Sequence, residues 1–416
     1  MKIHEDAYKI IEESINRVKP DEAVKAALLG RDFKGKVVLI AIGKASWNMA
    51  EAAYEMLKEK VTSGVVITKY DHSRGPIGNL EIFEAGHPIV DENSIKGTKR
   101  VLDMTSALGK EDQVVFLVSG GGSALFEMPM DGVLLEDIMD ITDQLLKSGA
   151  DIVEINTVRK HLSKVKGGKF AEHCKDTNIL SVVLSDVIGD PLDAIASGPA
   201  YRDSSTSEEA MEILERYQLK VEPHILEVLK IETPKDLRNC ETVITGSVTA
   251  LCSAAMEAAE NRGYTPYLLS STVDGEAKEV GRFFSAMARE VRNGNSSFQT
   301  PCAIIAGGET VVKIKGNGKG GRNQELALSC AQGIEGLEDT VFFSVGSDGT
   351  DGPTDAAGGI VDGNTASELR EKEIPLEVYL DNNDSYHGLD SVGALVKTGP
   401  TGTNVNDFMV LLVNSK

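Results

Sequence analysis

Short apolar runs alternate with longer amphipathic segments along the chain, and this alternation predicts an α/β fold. The runs KVVLIAIG, QVVFLV and NILSVVL are apolar at nearly every position, as strands of a helix-covered parallel sheet require. Segments such as ASWNMAEAAYEMLKEK lie between them and have helical periodicity. Strands that alternate with helices in this way predict mainly parallel sheets.

The length and a loosening of the pattern predict two domains. A chain of 416 residues is too long for one ordinary hydrophobic core. Around Tyr217–Lys235 the sequence becomes polar and contains prolines, and a new strand-then-helix pattern begins at ETVITGSVTALCSAAMEAAENRG. We therefore predict domains over residues 1–235 and 236–416. The final apolar run, DFMVLLV, could return to either sheet.

Composition narrows the partners and the location. The formal net charge of −21 argues against nucleic acid or an anionic membrane surface as the main partner. The five cysteines show no CxxC spacing, which favours reduced thiols. The N-terminal segment has an amphipathic helical pattern without the apolar core of a signal peptide, and no apolar run is long enough to span a membrane. We expect a cytoplasmic protein; its oligomeric state stays open.

Several predicted strands end in glycine or acidic clusters. These clusters are Gly43-Lys44, Ser119–Ser123, Ser185-Asp186, Gly307–Glu309 and Gly346–Asp351. Ligands of open α/β sheets bind outside the carboxyl ends of the strands, so five polar strand ends favour a shared site. The alternative is a set of unrelated turns, because turns also favour Gly, Asp and Ser.

The run SGGGS follows one of the buried strands. It consists of Ser119, Gly120, Gly121, Gly122 and Ser123. Glycines there would let backbone amides approach an anion at the start of the next helix. A plain turn or a close packing contact would explain the same residues. Lys44 follows another strand and could neutralise phosphate charge, although most lysines are simply solvated.

Acidic residues follow the strand of LSDVIGDPLDAIASGP. Asp186 and Asp190 are candidate Mg²⁺ ligands, because Mg²⁺ prefers oxygen ligands and keeps positions for water and phosphate. Glu309, at another strand end, is a further candidate. Asp190 could instead act as the base that removes a hydroxyl proton. The structural alternative is that Asp190, which precedes Pro191, caps a helix.

The loop GSDGTDGPTDAAGG contributes Asp348 and Asp351 as candidate ligands of substrate or metal. Its spacing superficially matches a calcium-binding loop, but Gly359 stands where the bidentate Glu should be. A loop this long is uncommon without a role. We therefore predict a functional turn-rich loop.

The segment KGNGKGGRNQELAL formally contains GxGxxG, but we reject a dinucleotide site. The preceding run TVVKIK alternates like a half-exposed antiparallel strand, whereas the dinucleotide fingerprint follows a buried parallel strand. Lys319 and Arg322 favour an anion-binding loop, because arginine offers a planar fork to carboxylate or phosphate. A flexible charged hairpin is the alternative. No GxxxxGK[ST] motif is present, which excludes a P-loop.

Five long motifs together resemble the glycerate 2-kinase family. They are SGGGSALFEMP, NTVRKHLSKVKGGKFA, LSDVIGDPLDAIASGP, GGETVVKIKGNGKGGRNQELAL and SVGSDGTDGPTDAAG. The resemblance implies a Rossmann-like N-terminal domain with a parallel sheet and a smaller α/β C-terminal domain. The latter includes a MOFRL region over about residues 300–410, and the active site lies in the interdomain cleft. It also implies Mg²⁺-dependent transfer of the ATP γ-phosphoryl group to the 2-hydroxyl of D-glycerate.

By that resemblance, Lys44 and Arg322 are catalytic. We add the hypothesis that Asp190, with Asp186 or Glu309, holds Mg²⁺. Two rival functions remain: an oxidoreductase acting on hydroxypyruvate, and a sugar-phosphate sensor without catalysis. The residues alone do not separate a 2-phospho from a 3-phospho product, nor do they assign ATP phosphates and glycerate carboxylate to particular loops.

Overall fold

The computed structural model describes residues 2–373 and 375–415. Its helices are α1 (Lys2–Arg17), α2 (Pro20–Leu28), α3 (Ser46–Leu57), α4 (Glu92–Thr105), α5 (Gly122–Leu125), α6 (Leu135–Lys147), α7 (Ile152–Leu162), α8 (Lys169–His173), α9 (Ser207–Arg216), α10 (Pro223–Leu229), α11 (Val248–Glu260), α12 (Ala277–Asn293), α13 (Arg322–Gly333), α14 (Thr365–Glu371), α15 (Leu376–Asp381) and α16 (Ser385–Ser391). Its strands are β1 (Val37–Ile42), β2 (Val61–Lys69), β3 (Leu80–Ala85), β4 (Gln113–Val118), β5 (Asn178–Leu184), β6 (Cys240–Gly246), β7 (Thr265–Val273), β8 (Cys302–Gly308), β9 (Thr340–Gly346), β10 (Gly358–Asp362), β11 (Leu395–Val396) and β12 (Asp407–Val413).

The chain forms two compact units. The N-terminal unit is Pro20–Thr245, and the C-terminal unit combines Met1–Lys19 with Gly246–Lys416. The boundary therefore lies ten residues beyond the expected Lys235, because β6 still belongs to the first sheet. Helix α1 groups with the C-terminal unit, where it packs on α11 and where Glu13 pairs with Arg262 at 2.6 Å.

The sheet of the N-terminal unit has the strand order β3-β2-β1-β4-β5-β6. Strand β1 pairs in parallel with β2 and β4, β2 with β3, and β4 with β5. Every residue of β1 is buried, in agreement with an apolar run covered on both faces. The rings of Phe116, Phe126 and Phe170 contact one another in the core beside β4. The predicted parallel α/β sheet is confirmed.

The sheet of the C-terminal unit has the order β11-β10-β9-β12-β8-β7 and is largely antiparallel. Strand β12 lies antiparallel between β8 and β9, so the last two point the same way. The expectation of mainly parallel sheets fails here, because the final apolar run inserts as β12 in the middle of this sheet. Over residues 310–315 the structure describes no strand, only a single bridge at Val311, so the predicted TVVKIK strand was wrong.

Two expectations about the surroundings of the chain can be compared with the structure. Across residues 2–373 and 375–415, no helix combines the length and the apolar character needed to cross a bilayer. The five cysteines are free thiols, and all but the half-buried Cys240 are buried.

Candidate active site

In the N-terminal unit, the loops that follow β1 and β4 interlock. The backbone N–H of Lys44 donates to the carbonyl of Gly120 at 2.9 Å, and the N–H of Ser119 donates to the carbonyl of Ile42 at 3.0 Å. The N–H of Ala45 donates to Ser119 Oγ at 3.1 Å. The buried Ser119 hydroxyl is therefore part of the joint between the loops, and Lys44 is fixed beside the glycine run.

The glycine run is pressed against polar side chains. A Cβ atom at Gly120 would lie 2.1 Å from Asp186 Oδ2, a distance that no real contact allows. Gly121 has a left-handed φ of +83°, and a Cβ there would lie 2.9 Å from His87 Nε2 and 3.3 Å from Lys44 Cγ. The run therefore needs glycine because three polar side chains approach its backbone, and it brings Lys44, His87 and Asp186 to one place.

His87 follows the end of β3 and belongs to this cluster. Burial lowers the pKa of its imidazole, and the charges of Lys44 and Lys69 lower it further, whereas Asp186 acts in the opposite direction. The neutral imidazole is consequently the favoured form near neutral pH.

Ser123, the last residue of SGGGS, turns its polar groups into the protein. Its Oγ lies 2.8 Å from Ser197 Oγ, and its carbonyl accepts a hydrogen bond from Lys166 Nζ at 2.8 Å. The fully buried Lys166 also donates to the carbonyl of Phe126 at 2.8 Å and pairs with Glu127 at 3.1 Å. These contacts give Ser123 a structural role, which differs from the predicted contact with phosphate or substrate.

The acidic segment after β5 is only partly explained by internal contacts. Asp190 has a left-handed φ of +51°, and its buried Oδ1 has no hydrogen-bond partner. A carboxylate oxygen buried without a partner is costly unless a proton or a cation satisfies it. Asp193, by contrast, bonds to Ser204 and lies 3.5 Å from Lys160. The helix-capping alternative for Asp190 is not observed among the caps of the described helices.

In the C-terminal unit, Arg322 begins α13 and is held by two carboxylates. Its Nε and Nη2 donate to the two oxygens of Asp407 at 2.6 and 3.1 Å, and its Nη1 donates to Glu309 Oε1 at 2.6 Å. Glu309 follows β8 and was predicted as a metal ligand; in this structure its charge is matched by Arg322. The bidentate pair fixes the plane of the guanidinium.

Burial controls the charges of this pair. It raises the pKa of Asp407 to about 6, although the Arg322 guanidinium acts in the opposite direction. Burial also disfavours the charge of Arg322, but the bonds from Asp407 and Glu309 outweigh it and raise the pKa of the guanidinium. Arg322 is therefore a permanent cation.

Asp351 stabilises the first turn of α13. Its two oxygens accept from the backbone N–H groups of Asn323 at 3.2 Å and Gln324 at 2.8 Å. The carboxylate is buried, and a Cβ at Gly321 would lie 2.3 Å from its Cγ. Its position accounts for both oxygens without a ligand, so the structure places this predicted binding residue in a helix cap.

The loop of KGNGKGG packs on the connection between α15 and α16. A Cβ at Gly316 would lie 2.3 Å from the carbonyl oxygen of Asn382, and one at Gly318 would lie 2.4 Å from Asp384 Cβ. The Lys319 ammonium stands 4.1 Å from the centroid of the Tyr386 ring. The glycines of this loop therefore serve close backbone packing, and Lys319 makes a cation–π contact.

A groove of about 590 Å³ opens between this loop and the loop after β9. Arg322, Glu325 and Asp348 contribute polar groups to its lining. Asp348 Oδ1 accepts from the N–H and the hydroxyl of Thr350 at 2.9 and 3.0 Å, which keeps its carboxylate in a local turn.

Comparisons with known proteins agree with the motif resemblance. Residues 6–230 match a family described as a domain of unknown function, DUF4147, and residues 302–407 match the MOFRL family. A D-glycerate 2-kinase of Thermotoga maritima is 53% identical over 407 residues, covering 98% of this chain and 97% of the relative. This chain belongs to the glycerate 2-kinase family.

Two further members support the assignment. A glycerate 2-kinase of Pyrococcus horikoshii is 44% identical over 438 residues, covering 100% of this chain and 98% of the relative. The crystal structure of a glycerate kinase from Thermotoga maritima superposes with a TM-score of 0.94 at 52% identity, covering 98% of this chain and 99% of that chain. The resemblance seen in the motifs is confirmed.

Mg²⁺ is the metal that a kinase of this family leads us to expect. Within the described residues, no three His, Cys, Asp or Glu side chains form a metal-binding group. Mg²⁺ at phosphate sites is usually held by one or two carboxylates together with phosphate oxygens and water. The partnerless Oδ1 of Asp190 fits such a site.

Three candidate residues of this glycerate 2-kinase family member escaped the sequence analysis. His87 was set aside as a scattered histidine, although it follows a strand end. Asp407 starts the apolar run DFMVLLV, where a charge is out of place and could have been noticed. Glu325 lies one turn after Arg322 on the same helix and has only this spacing as a signal.

Proposed function

We propose that the protein is an ATP-dependent D-glycerate 2-kinase. It transfers the γ-phosphoryl group of ATP to the 2-hydroxyl of D-glycerate and releases 2-phosphoglycerate and ADP. The observation that carries the proposal is the full-length relationship to a D-glycerate 2-kinase at 53% identity. Fold alone would not assign a substrate.

The cluster around the glycine run suits phosphoryl transfer, which depends on positioning and on neutralising charge more than on covalent chemistry. We assign Lys44 to the transferring phosphoryl group, because its backbone is fixed by Gly120 and its chain lies against Gly121. Gly120, Gly121 and Gly122 remain the proposed contact with phosphate or with the glycerate carboxylate.

Asp190, with Asp186, is the proposed carboxylate set for Mg²⁺, which would neutralise phosphate charge when bound. The buried Oδ1 of Asp190 without a hydrogen-bond partner supports this assignment. Glu309 is the weaker candidate for a metal ligand, because it already accepts from Arg322.

Arg322 is proposed as the second catalytic cation. Asp407 and Glu309 fix its guanidinium before any ligand arrives, so its orientation requires no ordering during the reaction. Asp348 and Lys319 stay proposed contacts of phosphate or substrate, while Asp351 and Ser123 act through structure.

The decisive experiment incubates the protein with Mg-ATP and D-glycerate and identifies the product by ³¹P and ¹H NMR. We expect 2-phosphoglycerate; 3-phosphoglycerate would correct the position of transfer. Lys44→Ala should lower kcat about 100-fold while the protein stays folded. A folded Lys44→Ala variant with normal kcat would remove Lys44 from the mechanism.

The same preparation separates the rival functions. Oxidation of NADH in the presence of hydroxypyruvate would indicate the reductase. Binding of ATP and glycerate without any ADP formed would indicate the sensor.

A further inference from the structure

The groove of the C-terminal unit has walls that are unusually apolar for an exposed surface. Val311 and Ile314 both line it, and they are 60% and 80% exposed. Pro353, from the loop after β9, also lines it. Aliphatic side chains exposed side by side in a concave site favour a flat apolar ligand that would remove them from water.

The polar lining comes from the first turn of α13. Arg322 and Glu325 lie three residues apart and hence on one face of the helix. Glu325 is only 3% exposed, and its Oε2 accepts from Asn383 Nδ2 at 3.1 Å. Asn383 Oδ1 accepts from the N–H groups of Lys315 and Gly316 at 2.7 and 3.0 Å, which fixes the orientation of the amide.

Size and charge restrict the ligand further. A volume of about 590 Å³ corresponds to roughly twenty water molecules, far more than a three-carbon hydroxy acid displaces. Among the described residues that line the groove, Arg322 is the cation, and Glu325 offers a carboxyl group for a hydrogen-bond donor. A ligand with an anionic end and an apolar ring that bears an N–H donor satisfies all of these features.

Resting on the proposed kinase function, we propose that this groove binds the nucleotide, with the adenine ring on Val311 and Ile314 and its exocyclic amino group donating to Glu325. The phosphate chain then extends toward Arg322. Glu325 is thus a specificity-determining residue that favours ATP over nucleotides with a carbonyl oxygen at the same ring position. The shielded position of Glu325 strengthens the discrimination, since a hydrogen bond to a buried charge is worth more than one in water.

The first test compares ATP with ITP, which carries a carbonyl oxygen in place of the amino group. Wild-type protein should use ATP with a kcat/KM at least about ten-fold above that for ITP. Glu325→Ala should lower this ratio toward one, mainly through a higher KM for ATP. Glu325→Gln keeps the shape and one acceptor oxygen, so it should fold and retain an intermediate preference.

The second test uses the exposed wall, where truncation does not threaten folding. Ile314→Ala should raise the KM for ATP several-fold and leave the KM for D-glycerate unchanged. Ile231→Ala, at a half-exposed isoleucine of the N-terminal unit, is the matched control and should change neither constant. Titration calorimetry with ADP should show weaker binding to Ile314→Ala than to wild type.

Three results would overturn the assignment: equal use of ATP and ITP by the wild type, an Ile314→Ala variant in which only the KM for glycerate rises, or unchanged ADP binding by that variant. Failure of the kinase proposal itself would look different. The wild type would then form no phosphoglycerate with any nucleotide, while ADP titration would still report on the groove.

Discussion

Arg322 and Asp407 form a bidentate ion pair, and each is the first residue of its secondary-structure element, α13 and β12. In the sheet, Asp407 lies opposite Gly308 of β8 and Gly346 of β9. The pair therefore places the candidate catalytic cation at the edge where β8 and β9 end. The chain positions Arg322 by burying a carboxylate beneath it.

Asp407→Ala should lower both stability and activity. Removal of one partner of a buried ion pair leaves the other charge poorly satisfied, which costs about 3 kcal/mol of unfolding free energy. Arg322 is partly exposed, so we place the expected loss at the low end of the known range. Urea unfolding measures the loss, and kcat should fall because the guanidinium is no longer oriented.

An exposed ion pair provides the control for this variant. Glu335→Ala breaks the surface pair with Arg370 and should change stability by less than about 1 kcal/mol. A stable, fully active Asp407→Ala protein would show that Glu309 alone positions Arg322.

Gly120→Ala should damage activity more than folding. The added methyl would meet Asp186 Oδ2, which must move away, and φ of Gly120 is not in the left-handed region. Because displacements of about 1 Å at reacting groups can cost 100-fold, we expect a kcat loss of about that size. Gly109→Ala, where nothing lies within 4 Å of the new methyl, is the control and should keep wild-type kcat. Equal kcat values for both variants would separate the glycine run from the reaction.

Much of the fold could be predicted from local pattern. The buried runs of β1, β4 and β5 and the helix α13 follow directly from periodicity. The antiparallel insertion of β12 did not, because an apolar run carries no record of its partner strands. The TVVKIK segment misled for a related reason: its alternation of apolar and polar residues arises in a groove wall, where Val311 and Ile314 are exposed.

The candidate site was predictable where a residue follows a strand and less so where two distant segments meet. Lys44 and Arg322 were named from position and resemblance together. Asp351 was also named, but its oxygens cap α13, and only tertiary contact shows that. The opposite error concerns His87, whose closeness to Gly121 depends on three strands being neighbours in the sheet.

Asp351→Ala should affect stability more than chemistry. Loss of the carboxylate leaves the buried N–H groups of Asn323 and Gln324 without an acceptor, which costs about 2 kcal/mol or more of unfolding free energy. Urea unfolding tests this, with the exposed Asp103→Ala as a control that should stay within about 0.5 kcal/mol of wild type. If stability were unchanged and kcat fell 100-fold, Asp351 would return to the reaction.

Lys166 should make stability depend on alkaline pH. Burial lowers its pKa to about 8 from 10.5; Glu127 opposes this shift and Arg159 adds to it. The folded state therefore releases the proton at lower pH than the unfolded state, so raising the pH from 8 to 10.5 favours folding through this residue.

Lys166→Met isolates that contribution. The variant loses the bonds to Ser123 and Phe126 at every pH, but it cannot titrate. Relative to the variant, wild type should gain about 3 kcal/mol of unfolding free energy between pH 7.5 and pH 10.5, since each pKa unit is worth about 1.4 kcal/mol. Lys169, whose pKa is also lowered to about 8 by burial, is present in both proteins and cancels in the difference. Urea unfolding at several pH values measures it, and a difference that stays constant across this range would mean that Lys166 titrates alike in both states.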